Sequence, residues 1–266
     1  MTQMGPYSLI FSNDITDDPV KAIELSEEVA PYFDAIKIGM STAALRRDFG
    51  LLGDVKQATG KIIVADFKVA DIGFRNKSGV WEGTNEKIVR RAVNAGADYV
   101  ICHTFPGISS LQECIDVGHS LGAKILTLPF MTGSGAELFF GQPIDKEHSN
   151  EVLNKLGIDV NIGSCRTISD LILVLGESVG VDGYIGPANL PLVLMRYREI
   201  TKKPIFSPGI GRQAFDGATP QQQMRTFFDI CGHNSCPIIG SAVYGAANPR
   251  EAAADFKRWR NEIAGD

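Results

Sequence analysis

Short apolar runs alternate with amphipathic stretches along the whole chain. Eight runs have the continuous apolar character of strands that are covered on both faces. The stretches between them, such as residues 18–33 and 84–97, carry apolar residues at helical spacing. The eight runs are SLIFSND (8–14), DAIKIG (34–39), KIIVADFK (61–68), ADYVICHT (97–104), AKILTLPF (123–130), DGYIGPAN (182–189), KPIFSPGIG (203–211) and CPIIGSAVY (236–244). This alternation predicts βαβ units and a parallel sheet.

Eight such units favour a closed (β/α)₈ TIM barrel, with residues 1–266 as one domain. The 266 residues suit this fold, which typically takes about 250, and no Pro/Gly/Ser-rich linker separates two halves. An open Rossmann sheet is disfavoured because no G-x-G-x-x-G follows the first strand. We expect an elaborated connection at about 131–181, in which residues 167–179 form a helix and residues 157–165 are either loop or an extra strand.

Composition narrows the class of protein. The net charge of −5 argues against a general nucleic-acid or anionic-membrane binder. No apolar stretch approaches the roughly 20 residues that span a bilayer, and no signal peptide is evident. Five irregularly spaced cysteines fit a reduced, cytoplasmic protein. Cys231, His233 and Cys236 could be metal ligands, but a polar loop before a strand is the favoured interpretation, so we expect no metal site.

Polar side chains stand where the predicted strands end. Asp14 ends the first strand, Lys37 lies near the end of the second, Asp66 and Lys68 end the third, and His103 ends the fourth. Catalytic groups of barrel enzymes lie at these carboxyl ends. A single aspartate there is more often a helix cap. A group of aspartates and lysines at neighbouring strand ends is less common than a single aspartate. Asp66 and Lys68, two residues apart, share one face of their strand.

Lys37 lies in the apolar setting AIKIG, and a lysine is seldom buried without a partner. A cluster with Asp66, Lys68 and Asp71 would give each charge an opposite neighbour and keep the lysines protonated. A fixed ammonium beside a carboxylate can deliver a proton to a developing carbanion. The fixed negative charge can repel a substrate carboxylate that leaves as carbon dioxide. Asp71 follows in the turn, where it could bend back to the cavity or reach a neighbouring subunit.

The segment DFKVADI (66–72) resembles the D-x-K-x-x-D motif of the orotidine 5′-phosphate decarboxylase superfamily. The resemblance covers nearly the whole chain, and its pieces occur in order at the strand ends. They are the first-strand Asp14, KIG (37–39), HTFPG (103–107), GP (186–187), SPGIGRQ (207–213) and IIGSAVYGAANP (238–249).

The resemblance implies a catalytic set and a homodimer. Lys68 would protonate the vinyl carbanion left at C6 of the pyrimidine, and Asp66 would crowd the departing carboxylate. Lys37 and Asp71 would complete the charge network. Asp71 would come from the partner subunit, which implies shared active sites. Neither a metal nor an organic cofactor would be needed, and the substrate would be a small nucleotide.

The resemblance also implies residues that bind the substrate. Asp14 and Lys37 would contact ribose hydroxyls. Pro208 and Gln213 would lie on a mobile loop that closes over base and phosphate, and Ile72 of the motif is predicted to touch the substrate as well.

The chain departs from the family pattern at three positions, all of which would bind the ligand. The family usually has Gly-Arg after the last strand, whereas this chain has Gly240 and Ser241. We expect Arg212 to supply the missing phosphate charge, with Gly240 and Ser241 offering backbone N–H groups. A threonine commonly lies four residues after the second aspartate, where this chain has Arg75. The serine of the base-recognition loop is not obvious either, and Thr132 is our candidate, with Ser134 as an alternative.

Two other functions remain open from the sequence. One is a related decarboxylase or synthase of phosphosugars, which would use magnesium and need a further acidic ligand near the first strands. The other is a degenerate barrel that binds a nucleotide without catalysis. Loss of the phosphate arginine favours the second, whereas the cost of burying four charges without a function disfavours it.

Overall fold

The parallel strands close into a barrel. The structure, a computed structural model, describes residues 4–15, 17–211 and 217–265. Each strand pairs with the next in chain order, and β1 pairs with β8, as the sequence predicts. The strands are β1 (Ile10–Asn13), β2 (Ala35–Gly39), β3 (Ile62–Val69), β4 (Tyr99–Cys102), β5 (Lys124–Thr127), β6 (Gly183–Ile185), β7 (Ile205–Ser207) and β8 (Ser235–Ile239).

Helices connect the strands and surround the barrel. Short 3₁₀ turns occur at Ala30–Tyr32, Arg47–Phe49 and Gly232–Asn234. The α-helices are α1 (Pro19–Val29), α2 (Met40–Ala43), α3 (Leu51–Thr59), α4 (Thr84–Asn94), α5 (Ile108–Ser120), α6 (Glu137–Phe140), α7 (Lys146–Lys155), α8 (Ile168–Val179), α9 (Pro191–Ile200), α10 (Pro220–Cys231), α11 (Ser241–Tyr244) and α12 (Pro249–Ala264). None of those in the described ranges is long and apolar enough to cross a membrane.

Side chains that cap helices explain where several of them begin. The Asp18 carboxylate accepts the N–H groups of Val20 and Lys21 at the start of α1. Thr219 and Gln222 form a reciprocal capping box at the start of α10. Proline follows the cap residue of both helices, where its missing N–H costs nothing.

The barrel interior is apolar near the amino ends of the strands and polar near their carboxyl ends. Its apolar layer belongs to a cluster that includes Ile10, Ala35 and Val64. Two residues further along β1 and β2, Ser12 and Lys37 are register partners. Because strand side chains alternate, these later positions also face the interior. The polar layer therefore lies at the carboxyl ends of the strands.

The long connection between β5 and β6 contains α6, α7 and α8. It has a small core of its own around Leu153, Ile162 and Cys165. The predicted helix at 167–179 is confirmed as α8. The possible extra strand at 157–165 is wrong, because that segment runs as loop and turn, and the side chains of Ile162 and Cys165 pack against helices rather than a sheet.

Candidate active site

A cavity of about 300 Å³ opens at the carboxyl ends of the barrel strands. Its size lies at the lower end of small-molecule sites. Eight of the residues singled out from the sequence line it, and they come from six different strand ends or the loops that follow. They are Asp14, Lys37, Asp66, Lys68, Thr132, Pro208, Gly240 and Ser241.

Four of these residues form a row of alternating charge. Lys37 Nζ lies 2.7 Å from Asp66 Oδ2, and Lys68 Nζ lies 2.5 Å from Asp66 Oδ1. Asp14 Oδ1 lies 3.9 Å from Lys37 Nζ. Each carboxylate oxygen of Asp66 therefore has its own lysine. Lys68 is 40% exposed and Lys37 only 9%, so Lys68 is the lysine that a ligand can reach more readily.

The backbone of β3 is irregular at Lys68. Between Ala65 and Val69 the pairing of β3 with β4 shifts, so that β3 carries extra residues. Lys68 itself has a positive φ of 49°, which is uncommon for a residue with a side chain. A bulge bends a strand and redirects a side chain. Strained backbone of this kind is concentrated at functional sites.

The charge row fixes the protonation of Asp66 and Lys37. Burial alone would raise the pKa of Asp66, but the charges of Lys37 and Lys68 outweigh it and lower the pKa to about 2. Burial alone would lower the pKa of Lys37, yet Asp66 and Asp14 raise it above its ordinary value. At neutral pH, Asp66 is therefore ionised and Lys37 is protonated.

His103 follows β4 beside this cluster and is 5% exposed. Burial, and then the positive charge of Lys68, lower the pKa of His103 to about 4. Its ring packs edge-on against Phe105, with centroids 4.7 Å apart. At neutral pH the ring is uncharged, so His103 adds no further positive charge to the cluster.

Two polar residues of the cavity were missed by sequence reasoning. Ser12 lines the cavity, and its Oγ donates to Asp14 Oδ2 at 3.0 Å. Tyr244 lines it from the end of α11. Signals for both existed, since Ser12 lies two residues before Asp14 on the same strand face and Tyr244 lies about one helical turn after Ser241.

Asp71 and Ile72 do not line this cavity. The Asp71 carboxylate accepts the N–H of Ile72 at 2.7 Å, and the Ile72 side chain is 69% exposed. Within one chain, the interior cluster expected from the sequence is thus built with Asp14 rather than Asp71 as its second acid. Asp71 and Ile72 instead occupy the outer surface beside the barrel mouth.

The segment after Ile72 leaves the barrel and returns to it as a hairpin. Glu82 donates its N–H to the Phe74 carbonyl at 3.1 Å, and Arg75 and Trp81 form an antiparallel bridge. We call residues 74–82 the β3–α4 hairpin. Because this hairpin returns to its starting point, α4 begins with Thr84 close to where the hairpin leaves. Arg75 lies inside the hairpin, where its guanidinium stacks on Trp81 at 3.8 Å.

The predicted phosphate end of the site is only partly described. Gly240 and Ser241 line the cavity. Arg212 and Gln213, predicted as phosphate and loop contacts, lie outside the described residues. Among the described residues that line the cavity, the positively charged side chains are Lys37 and Lys68.

Fold and site together define a (β/α)₈ barrel that holds a Lys–Asp–Lys cluster at its mouth, an arrangement suited to carbanion chemistry. The model of the Orotidine 5'-phosphate decarboxylase / HUMPS family matches residues 8–256. The chain therefore belongs to this family, which confirms the resemblance seen in the sequence.

Individual relatives agree with the family match. The chain is 30% identical over 251 residues to the orotidine 5′-phosphate decarboxylase of Methanosphaera stadtmanae, covering 93% of this chain and 94% of that one. It is 28% identical over 254 residues to that of Methanocaldococcus jannaschii, covering 96% and 99%. A crystal structure of the M. jannaschii enzyme complexed with the inhibitor BMP superposes with a TM-score of 0.75 at 27% identity, covering 97% of this chain and all of that one.

Proposed function

We propose that the protein decarboxylates orotidine 5′-phosphate to uridine 5′-phosphate, a step of de novo pyrimidine biosynthesis. The observation that carries this proposal is the pair of short contacts from Asp66 to Lys37 and Lys68 inside the cavity. The relatives of nearly equal length that are named orotidine 5′-phosphate decarboxylase support it. The reaction is that of a carboxy-lyase.

The proposed chemistry uses the cluster without an electron sink from a cofactor. The substrate carboxylate at C6 would lie against Asp66, whose charge persists because its pKa is about 2. The bond from C6 to the carboxylate carbon breaks, carbon dioxide leaves, and the electron pair stays on C6. Lys68 then transfers a proton from Nζ to C6. Lys37 keeps Asp66 in place and ionised.

The rest of the cavity supplies the binding contacts in this proposal. Asp14 and Lys37 bind ribose hydroxyls, and Ser12 orients Asp14 through its 3.0 Å hydrogen bond. Thr132 binds the base, and Pro208 and Gln213 close over base and phosphate. Arg212, Gly240 and Ser241 remain our prediction for the phosphate contacts.

We further propose a homodimer in which Asp71 and Ile72 serve the partner's site. Both residues belong to the family motif but lie outside their own cavity. The exposed apolar side chains of Ile72 and of Phe74, two residues later, support burial of this surface against a second copy. The five free, buried cysteines support the expected cytoplasmic setting.

The threonine that the family places four residues after the second aspartate has a candidate in Thr84. Removing the nine residues of the β3–α4 hairpin from the count makes Thr84, not Arg75, the fourth residue after Asp71. Thr84 is exposed at the start of α4. We propose that its hydroxyl contacts the ribose bound in the partner's site.

Steady-state kinetics with Thr84→Val and Arg75→Ala test this assignment. Loss of one ribose hydrogen bond should raise KM for orotidylate about 5- to 10-fold in Thr84→Val, since valine keeps the shape of the side chain. Arg75→Ala should change KM less than about twofold, because the guanidinium is engaged with Trp81 and Asp116. The reverse ranking would reject Thr84.

The proposed function itself is tested by incubating the purified chain with orotidylate, with and without EDTA. We expect stoichiometric uridylate and carbon dioxide in both arms. Activity lost on EDTA treatment and restored by magnesium would favour the related phosphosugar enzymes. No turnover, with tight binding of uridylate, would favour the non-catalytic nucleotide-binding barrel.

A further inference from the structure

A buried carboxylate outside the cavity has no part in the chemistry proposed above. Glu113 lies in the middle of α5 and is 0% exposed. Carboxylates are almost never fully buried unless their charge is satisfied. The partners of Glu113 show what it does.

Glu113 is held by N–H groups that come from both ends of the β3–α4 hairpin. Its Oε2 accepts the N–H of Phe74 at 3.2 Å, at the start of the hairpin. Its Oε1 accepts the N–H groups of Gly83 at 3.0 Å and Glu86 at 3.3 Å, just past the hairpin's end. The Glu113 side chain thus joins the two ends of the hairpin, and we call this arrangement the clamp.

The same carboxylate caps α4. The residue before this helix, Gly83, makes no side-chain cap of its own, and a Cβ at this position would lie 2.6 Å from Glu113 Oε1. A negative charge at a helix N-terminus is favourable. The absence of a side chain at Gly83 therefore leaves the space that the Glu113 carboxylate occupies.

Asn85 connects this clamp to Asp71. It is 0% exposed, and its Nδ2 lies 3.3 Å from Glu113 Oε2. Its Oδ1 accepts the Asp71 N–H at 3.0 Å, and its Nδ2 donates to the Asp71 carbonyl at 2.8 Å. Ser110, one turn before Glu113 on α5, donates to the same carbonyl at 2.5 Å.

Close packing on α5 completes the arrangement. A Cβ at Gly73 would lie 2.4 Å from the Ser109 carbonyl group, so the backbone just after Asp71 and Ile72 rests directly on the start of α5. The backbone of Asp71 is thus fixed from α4 and from α5, while its neighbour Ile72 faces outward.

We propose that Glu113, acting through Asn85, is a positioning residue that sets Asp71 for its role in the partner's site. This inference rests on the proposed function of Asp71. Both oxygens of Glu113 face only N–H donors in these contacts. Glu113→Gln keeps the size of the side chain but turns one acceptor into a donor, which opposes two N–H groups.

A double-mutant cycle separates positioning from general structural support. Glu113→Gln should lower kcat/KM for orotidylate roughly 10- to 100-fold, as a misplaced catalytic group does. In an Asp71→Asn background the same change should lower it less than about twofold, because the group that Glu113 positions is already lost. Equal factors in both backgrounds would overturn the proposal.

The matched control is Asp116→Asn. Asp116 lies on the same helix and holds the outer part of the hairpin through Arg75 and Trp81, so its loss should change kcat/KM less than about threefold. If Glu113→Gln does not fold, Ser110→Ala removes one hydrogen bond to the Asp71 carbonyl and one from Asn85 Nδ2. It should give a smaller loss that is again absent in the Asp71→Asn background, and a loss that persists there would contradict the proposal.

Hydrogen exchange provides a readout that does not depend on activity. In Glu113→Gln the amides of Phe74, Gly83 and Glu86 should exchange faster, while those of β1 and β2 keep their wild-type rates. Unchanged exchange at the three amides would overturn the clamp. Because exchange needs no substrate, the clamp can be tested even if the wild-type protein does not decarboxylate orotidylate. That result would reject the proposed function and the role of Asp71 in it, but not the clamp.

Discussion

Lys68→Ala is expected to lower kcat for orotidylate decarboxylation by about 10⁴-fold or more. The Nζ of Lys68 is the proton donor in our account, and a positioned general acid alone contributes up to about 10⁴-fold. Its removal also leaves Asp66 Oδ1 without the cation that lies 2.5 Å away. The measurement is single-turnover formation of uridylate by wild type and variant at saturating substrate.

Lys56→Ala is the matched control for this change. Lys56 is also 40% exposed and also pairs with an aspartate, Asp98, at 2.7 Å, but it lies on α3 away from the cavity. Its kcat should stay within about twofold of wild type. A Lys68→Ala variant that keeps more than about a tenth of wild-type activity would remove Lys68 from the mechanism.

Asp66→Asn is expected to lower both activity and stability. It removes the negative charge beside the departing carboxylate and leaves two ammonium groups without their shared partner. The folded-state pKa of about 2, against about 3.9 in an unfolded chain, corresponds to about 2 to 3 kcal/mol of the free energy of unfolding at neutral pH. Denaturant titration at pH 7 should reveal a loss of this order.

The pH dependence of this loss has a defined sign. Since folding depresses the pKa of Asp66, its contribution is fully present above about pH 5 and is lost as the pH falls through 4 towards 2. The difference in unfolding free energy between wild type and Asp66→Asn should therefore shrink by roughly half between pH 7 and pH 3. A difference that stays constant over this range would contradict the charge row.

Much of the barrel could be predicted from the sequence because its signals are local. Several apolar runs carry polar residues at their ends, so the interior positions of Asp14, Lys37 and the Asp66–Lys68 pair were predictable from chain order and strand periodicity alone. The irregular backbone at Lys68, with its shifted pairing and its positive φ, was not predictable in this way. It depends on the pairing of β3 with β4, which no pattern within β3 specifies.

Asp71 illustrates where local reasoning ends. Its position depends on hydrogen bonds with Asn85, 14 residues later, and with Ser110, 39 residues later. Counting along the chain also placed Arg75 at the position where the family has a threonine. The count did not allow for the β3–α4 hairpin, whose closure depends on contacts across it. The burial of Glu113 was not predicted from the sequence, since an acidic residue on an amphipathic helix is ordinarily exposed to solvent.

Product analysis after turnover of orotidylate in D₂O tests the central claim most directly. If the Lys68 ammonium, whose protons exchange with solvent, protonates a carbanion at C6, every uridylate formed should carry one deuterium at C6, seen by proton NMR and mass spectrometry. One carbon dioxide should be released per uridylate, and Lys68→Ala should form no detectable amount of either product in the time that the wild type needs for full conversion. Failure of the wild-type chain to form uridylate at high substrate, or uridylate without deuterium at C6, would contradict the account.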